Sequence, residues 1–109
     1  MENQGHIQSG EVVNLETLKG DMSVDSSYAI IKTEGMEVIR MALVEGKKTK
    51  EHQIEGELTV QCLKGSIIFS VDKKSCHLNE DDWLFVAKKQ NFSYRVKQDT
   101  ILLLTINFL

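Results

Sequence analysis

The sequence predicts an all-β protein, a single antiparallel sandwich or barrel, and two observations predict it. From Tyr28 onward apolar and polar residues alternate with a period of two, in short runs rich in Val, Ile, Leu and Phe. Turn residues separate these runs at short, even intervals: Glu34-Gly35, Asp72-Lys73-Lys74 and Asn79–Asp81. In chain order, residues 14–20 read as one helical turn, with Asn14 as N-cap and Gly20 just past the end. Residues 21–27 read as turn. Strands are expected over 28–33 and 36–44, which form a hairpin around Glu34-Gly35. Further strands follow over 57–64, 66–72, 76–78, 82–87, 92–97 and 100–108. Such a series of short strands without intervening helices packs sheet on sheet.

Composition sets the remaining bounds. A chain of 109 residues makes one domain, burying about two-thirds of the surface of its unfolded form. We expect a partly flexible N-terminal extension over 1–27 and the β domain over 28–109. The formal net charge is -3 with acids and bases interspersed, so no basic stripe points to nucleic acid. No run approaches the ~18 apolar residues of a membrane span, and residues 1–10 are too polar for a signal peptide. A cytoplasmic protein is expected. The two cysteines, Cys62 and Cys76, lack chelating spacing and read as reduced thiols. Proline is absent, although average usage is about 5%.

Alternation also assigns faces. Leu58, Val60 and Cys62 point one way, and Thr59, Gln61 and Leu63 the other. Phe92, Tyr94 and Val96 oppose Ser93, Arg95 and Lys97 in the same manner. Two strands are apolar on both sides. Ile39, Met41 and Leu43 are opposed to Val38 and Ala42, and Ile101 and Leu103 to Leu102, Leu104 and Ile106. Such strands need cover on both faces, and a second copy of the chain, in a homodimer, is the expected source.

The run "EGKKTKEHQIEGELTVQCLKGSIIFSV", followed by "HLNEDDWLFVAKKQNFSYRV" and "DTILLLTI", resembles the cupin superfamily, in particular its short single-domain bacterial members. The resemblance covers about residues 36–106 and implies a double-stranded β-helix, or jelly-roll barrel, of RmlC-like type. It also implies a place to look for metal. The first cupin motif runs from a glycine to two histidines one residue apart, then to a glutamate and a closing glycine. The second supplies a further histidine, and the four side chains commonly hold a divalent ion. Cupin activities range from isomerases and dioxygenases to storage and regulatory proteins, so the fold implies no one of them.

Carried over by position, the motif is mostly missing. Gly46, His52 and Gly65 match, but Ile54 stands at the second histidine. Leu58 stands at the glutamate, counting back from Gly65, and Phe92 at the histidine of the second motif. Asp81, Ala87, Lys89 and Val96 replace the remaining glycines, proline and asparagine. A catalytic zinc or iron site needs about three protein ligands at ~2.0–2.2 Å, which one imidazole among hydrocarbon does not supply. Glu57 enters only with an altered spacing, on the face opposite Leu58. No metal, no other cofactor and no catalytic residue is therefore expected.

What replaces the metal is an apolar barrel mouth of Ile54, Leu58, Val60, Cys62, Phe92 and Tyr94, with His52 at its rim. It admits two readings: a pocket for one small, partly apolar molecule, or a core filled by its own side chains. The favoured function is a metal-free, non-catalytic small-molecule-binding or sensory cupin. One alternative is an isomerase- or dioxygenase-type cupin enzyme using His52 as base or in an irregular metal site. Another is a structural or interaction protein. Cys62 reads as a small hydrophobe rather than a nucleophile, and Trp83 as core rather than a sugar platform.

Overall fold

The computed structural model describes residues 6–20 and 25–108; residues 1–5 and 109, and residues 21–24 of the turn expected over 21–27, lie outside this description. In chain order the protein forms a helical turn α1 (Leu15–Leu18) and strands β1 (Ser26–Lys32), β2 (Met36–Leu43) and β3 (Glu57–Val71). Strands β4 (Lys74–Asn79), β5 (Trp83–Val86) and β6 (Phe92–Asn107) complete it. All pairing is antiparallel, in the order β1-β2-β6-β3-β4, with β5 also paired to β3. Asn14 caps α1 as expected, its side-chain oxygen accepting from Glu16 N–H at 2.7 Å. At the β3–β4 hairpin Asp72 and Lys73 both take positive φ (46° and 74°), the backbone of a tight primed turn.

The two central strands are longer than the sequence suggested. Residues 57–64 and 66–72 fuse into β3, while 92–97 and 100–108 fuse into β6. A straight strand of β3's length would span about 46 Å, more than the 38 Å largest dimension of the Cα trace, so β3 must bend. The pairing with β6 shifts register between Cys62 and Ile67, where the bend falls. Gly65 there has φ +103°, a conformation that side chains oppose. The buried Thr100 hydroxyl accepts from Ser66 N–H at 3.1 Å and donates to the Gln98 carbonyl at 2.7 Å, serving backbone groups beside the irregularity.

The bend folds one continuous sheet into two layers. In the first, the start of β3 pairs with the end of β6, flanked by β2–β1 and by β5. In the second, the end of β3 pairs with β4 and the start of β6. The segment 46–52 completes the second layer along β6, with Thr49 N–H bonded to the Tyr94 carbonyl at 3.0 Å and His52 N–H to the Phe92 carbonyl at 2.8 Å. Leu43, Leu58, Val60, Cys62 and Leu102 from one layer meet Ile67, Phe69, Leu78 and Val96 from the other in a single buried core. This is a jelly-roll barrel.

A second cluster lies outside the first layer. Ala42, Leu63 and Ile101, apolar on the outer faces of their strands, are covered by Leu18, Ile7 and Val13, with Ile30 of β1 buried among them. Ile7 N–H bonds the Ile30 carbonyl at 2.9 Å, and the buried Arg40 donates from Nε to the Leu18 carbonyl at 2.8 Å. Cover for the outer faces of Ala42, Leu63 and Ile101 thus comes at least in part from Ile7, Val13 and Leu18 of the same chain, which pack on the sheet. Strand β1 also starts two residues earlier than expected, at Ser26. Among the described residues no helix is long and apolar enough to cross a membrane.

Two glycines separate backbone strain from steric overlap. At Gly65 an added Cβ would overlap the Asp99 carbonyl and the Thr100 hydroxyl, whereas at Gly46 (φ +91°) it would meet nothing within 4 Å. In urea denaturation Gly65→Ala should cost roughly 2–4 kcal/mol, and Gly46→Ala about 1 kcal/mol. Equal costs would remove the bend's dependence on close packing at Gly65.

Candidate functional site

The two layers leave a cavity of about 230 Å³ between them, open at the end where residues 52–54 cross. Its walls come from different layers. Phe69, Phe92 and Tyr94 form an aromatic wall, because alternation on the second layer turns all three inward and register sets Phe69 opposite Tyr94 and Val71 opposite Phe92. The Phe69 and Phe92 rings lie 5.6 Å apart and 11° from parallel, and the Phe69 and Tyr94 rings 5.9 Å apart at 25°. Leu58, Leu102, Leu104 and Ile106, with Met41, form the facing aliphatic wall.

The rim is His52, Gln53 and Ile54. His52 is fixed through its backbone, which bonds Phe92 in both directions at 2.8 and 2.9 Å, leaving an exposed imidazole 5.9 Å from the Phe92 ring. Gln53 donates from Nε2 to Asn91 Oδ1 at 2.8 Å, and Lys89 N–H holds the Ile54 carbonyl at 3.1 Å. The crossing segment is therefore clamped to the loop before β6.

Five of the expected residues, His52, Ile54, Leu58, Phe92 and Tyr94, meet around this one cavity. Val60 and Cys62 do not join them. Both face the core but are fully buried, deeper along β3 toward its bend, outside the cavity lining. Met41, Gln53, Phe69, Leu102, Leu104 and Ile106 complete the lining and were not singled out from the sequence. The alternation that placed Leu102, Leu104 and Ile106 on one face carried the signal for three of them. Trp83 corrects another expectation. It is 61% exposed, not core, because its neighbours Leu84 and Val86 take the inward positions opposite Val60 and Leu58 and so turn Trp83 and Phe85 outward.

The site's chemistry follows from what surrounds it. At the three positions where a cupin metal would find ligands beside His52 stand Ile54, Leu58 and Phe92, and Glu57 is exposed on the other face. Among the described residues no three His, Cys, Asp or Glu side chains come together. The donor set present does not fit a divalent metal. No lining residue carries a formal charge other than through His52. Nearby, Lys47 Nζ is held by Asp25 at 2.6 Å, and that hydrogen bond raises the ammonium's pKa. Burial pushes the Tyr94 phenol up from its ordinary value of 10.0, with Lys47 pulling the other way. His77 lies outside the lining and its Nε2 sits 2.7 Å from Ser66 Oγ.

No family model and no curated protein matches the sequence. Solved structures do. A cupin superfamily protein from Desulfitobacterium hafniense superposes with a TM-score of 0.79 at 14% identity, covering 96% of both chains. A conserved protein of unknown function from Streptococcus pyogenes gives 0.79 at 14% identity, covering 94% of this chain and 90% of that one. An RmlC-like cupin from Shewanella frigidimarina gives 0.72 at 14% identity, over 76% and 75%. The chain has the single-domain cupin fold.

The Cys62 thiol supplies a pH test of the core beside the cavity. Burial pushes its pKa from the ordinary 9.0 up to about 11, against a weaker opposing backbone hydrogen bond at Lys64. A raised folded pKa means stability that is complete below about 9 and is lost as pH rises through about 11. The urea midpoint should fall across that window, less steeply in Cys62→Ala. In the native protein at pH 8, thiol reagents should modify the partly exposed Cys76 well before Cys62.

Proposed function

We propose that the protein is a non-catalytic, metal-free binding module of sensory type that holds one small, partly apolar molecule in its barrel mouth. The observation that carries this is the cavity itself: about 230 Å³ of space walled by hydrocarbon and aromatic rings, with its hydrogen-bonding groups confined to one side. The fold it stands on hosts enzymes and non-enzymes alike, so the site must decide between them. Cys62 is no nucleophile, being buried with a raised pKa. Among the described residues no three His, Cys, Asp or Glu side chains gather, at His52 or elsewhere, to build a metal centre.

Protein purified without chelators or affinity nickel should contain below about 0.1 equivalent of zinc, iron, manganese or nickel. Native mass spectrometry should detect retained small molecules. Near-stoichiometric metal that disappears in His52→Ala would overturn the proposal. A homodimer completes it. Trp83 and Phe85, 61% and 48% exposed on the same face of the short edge strand β5, are the surface a second copy would cover. Light scattering should give twice the chain mass at micromolar concentration and the monomer mass in a Trp83→Ser, Phe85→Ser double variant. A wild-type monomer would remove the dimer.

A further inference from the structure

The cavity's walls specify more than apolarity. Its aromatic side is a stack, since the Phe92 and Tyr94 rings lie 5.6 and 5.9 Å from the Phe69 ring they flank and 11° and 25° from parallel to it, so that ring faces turn toward one another and ring edges border the space. The opposing side is branched aliphatic, from Leu58, Leu102, Leu104 and Ile106. A space bordered by ring edges on one side and branched chains on the other favours an aromatic occupant, because the positive ring edges meet its negative π-face in edge-to-face contact and a thin ring fills the width with few voids. The volume is also bounded. A dry apolar cavity of about 150 Å³ takes benzene; the 230 Å³ found here takes a ring with a short substituent or a small fused ring.

Charge narrows the class further. An ionised group placed among these walls would lose its hydration without a counter-charge. The Lys47 ammonium, which acts on Tyr94, is already held by Asp25 at 2.6 Å. Two side chains bring hydrogen-bonding groups to the opening. Among the described residues the half-buried Tyr94 hydroxyl and the His52 ring nitrogens make no hydrogen bond to another side chain or carbonyl. Gln53 spends one amide hydrogen on Asn91 and keeps its oxygen as an acceptor. Together they can meet one donor-acceptor group, and they sit on one side of the cavity.

Resting on the binding function proposed above, we infer that the ligand is an uncharged, single-ring or small fused-ring aromatic molecule carrying one hydrogen-bonding substituent, of the phenol or indole type. The ring enters first and lies across the edges of Phe69 and Phe92. The substituent stays at the rim, within reach of Tyr94, His52 and Gln53. Nothing covalent happens; the site recognises and retains.

The test uses the full chain, with methyl resonances of Leu58, Leu104 and Ile106 as reporters. It is titrated with p-cresol, 4-methylcyclohexanol, benzoate and benzylammonium in turn. p-Cresol should shift those methyls saturably, with a dissociation constant at least about tenfold below the other three. Tyr94→Phe should weaken p-cresol by roughly three- to tenfold and leave toluene unchanged. Benzoate or benzylammonium binding as well as p-cresol would overturn the neutral class, and 4-methylcyclohexanol doing so would overturn the aromatic class. In either case the cavity still binds and the proposed function stands. No probe moving those methyls at millimolar concentration would overturn both. A Leu104→Trp variant, which places an indole across the space, should abolish the p-cresol shifts; should that variant fail to fold, the four wild-type titrations decide alone.

Discussion

The bend in β3 and β6 is the constraint from which the rest of the structure follows. Each strand is too long to stay straight within the molecule, and the pairing between them slips register at Cys62–Ile67. Gly65 accepts the positive φ that the slip requires, and the Thr100 hydroxyl serves the backbone groups that the regular ladder no longer pairs. Once both strands turn there, a single sheet has two halves facing each other, and the inward residues of both halves share one core. The cavity is what remains where the halves diverge toward residues 52–54. Without the bend there would be a flat sheet, greasy on one side, and neither core nor site.

The fold was legible in the sequence to the extent that alternation and turn chemistry are local. The hairpin at Glu34-Gly35, the α1 cap at Asn14 and the Asp72-Lys73 turn all sit where their residues place them, because each depends on a few neighbours. The continuity of β3 and β6 was not legible. Gly65 and Gln98–Asp99 interrupt the alternation as turns do, and only pairing between distant residues shows that the chain runs on through them. The cover over Ala42, Leu63 and Ile101 was hidden for the same reason. A face apolar on both sides announces that it needs a neighbour, not which one, and Ile7, Val13 and Leu18 lie in a segment too polar and irregular to signal that role.

The candidate site divides along the same line. Position within a strand told Leu58, Phe92 and Tyr94 to face inward, and the hydrocarbon side chains of Ile54, Leu58 and Phe92 told against a metal. Depth along the strand could not be read from alternation. Val60 and Cys62 share Leu58's face but stand nearer the bend, where the layers close on each other and leave no space. Phe69 shows the complementary case: it is 1% exposed yet forms the centre of the aromatic wall, joined to Phe92 and Tyr94 by pairing across strands. A pocket belongs to a tertiary arrangement, and its deepest residues look like ordinary core in one dimension.

The docked N-terminal segment also bears on how the chain is made. Its anchoring points, the carbonyl of Leu18 and the side chains of Ile7 and Val13, rest on β1, β2, β3 and β6, and part of that surface is Ile101 and Leu103 near the end of the chain. Residues 7–18, made before every strand described, thus find their full seat only when β6, which follows the other strands, has paired. Until then Ala42 and Leu63 stand uncovered in a nascent sheet, the kind of surface on which unfinished chains associate. The segment closes the structure as a late step, and Arg40, reaching across 22 residues of sequence to one backbone oxygen, is the latch.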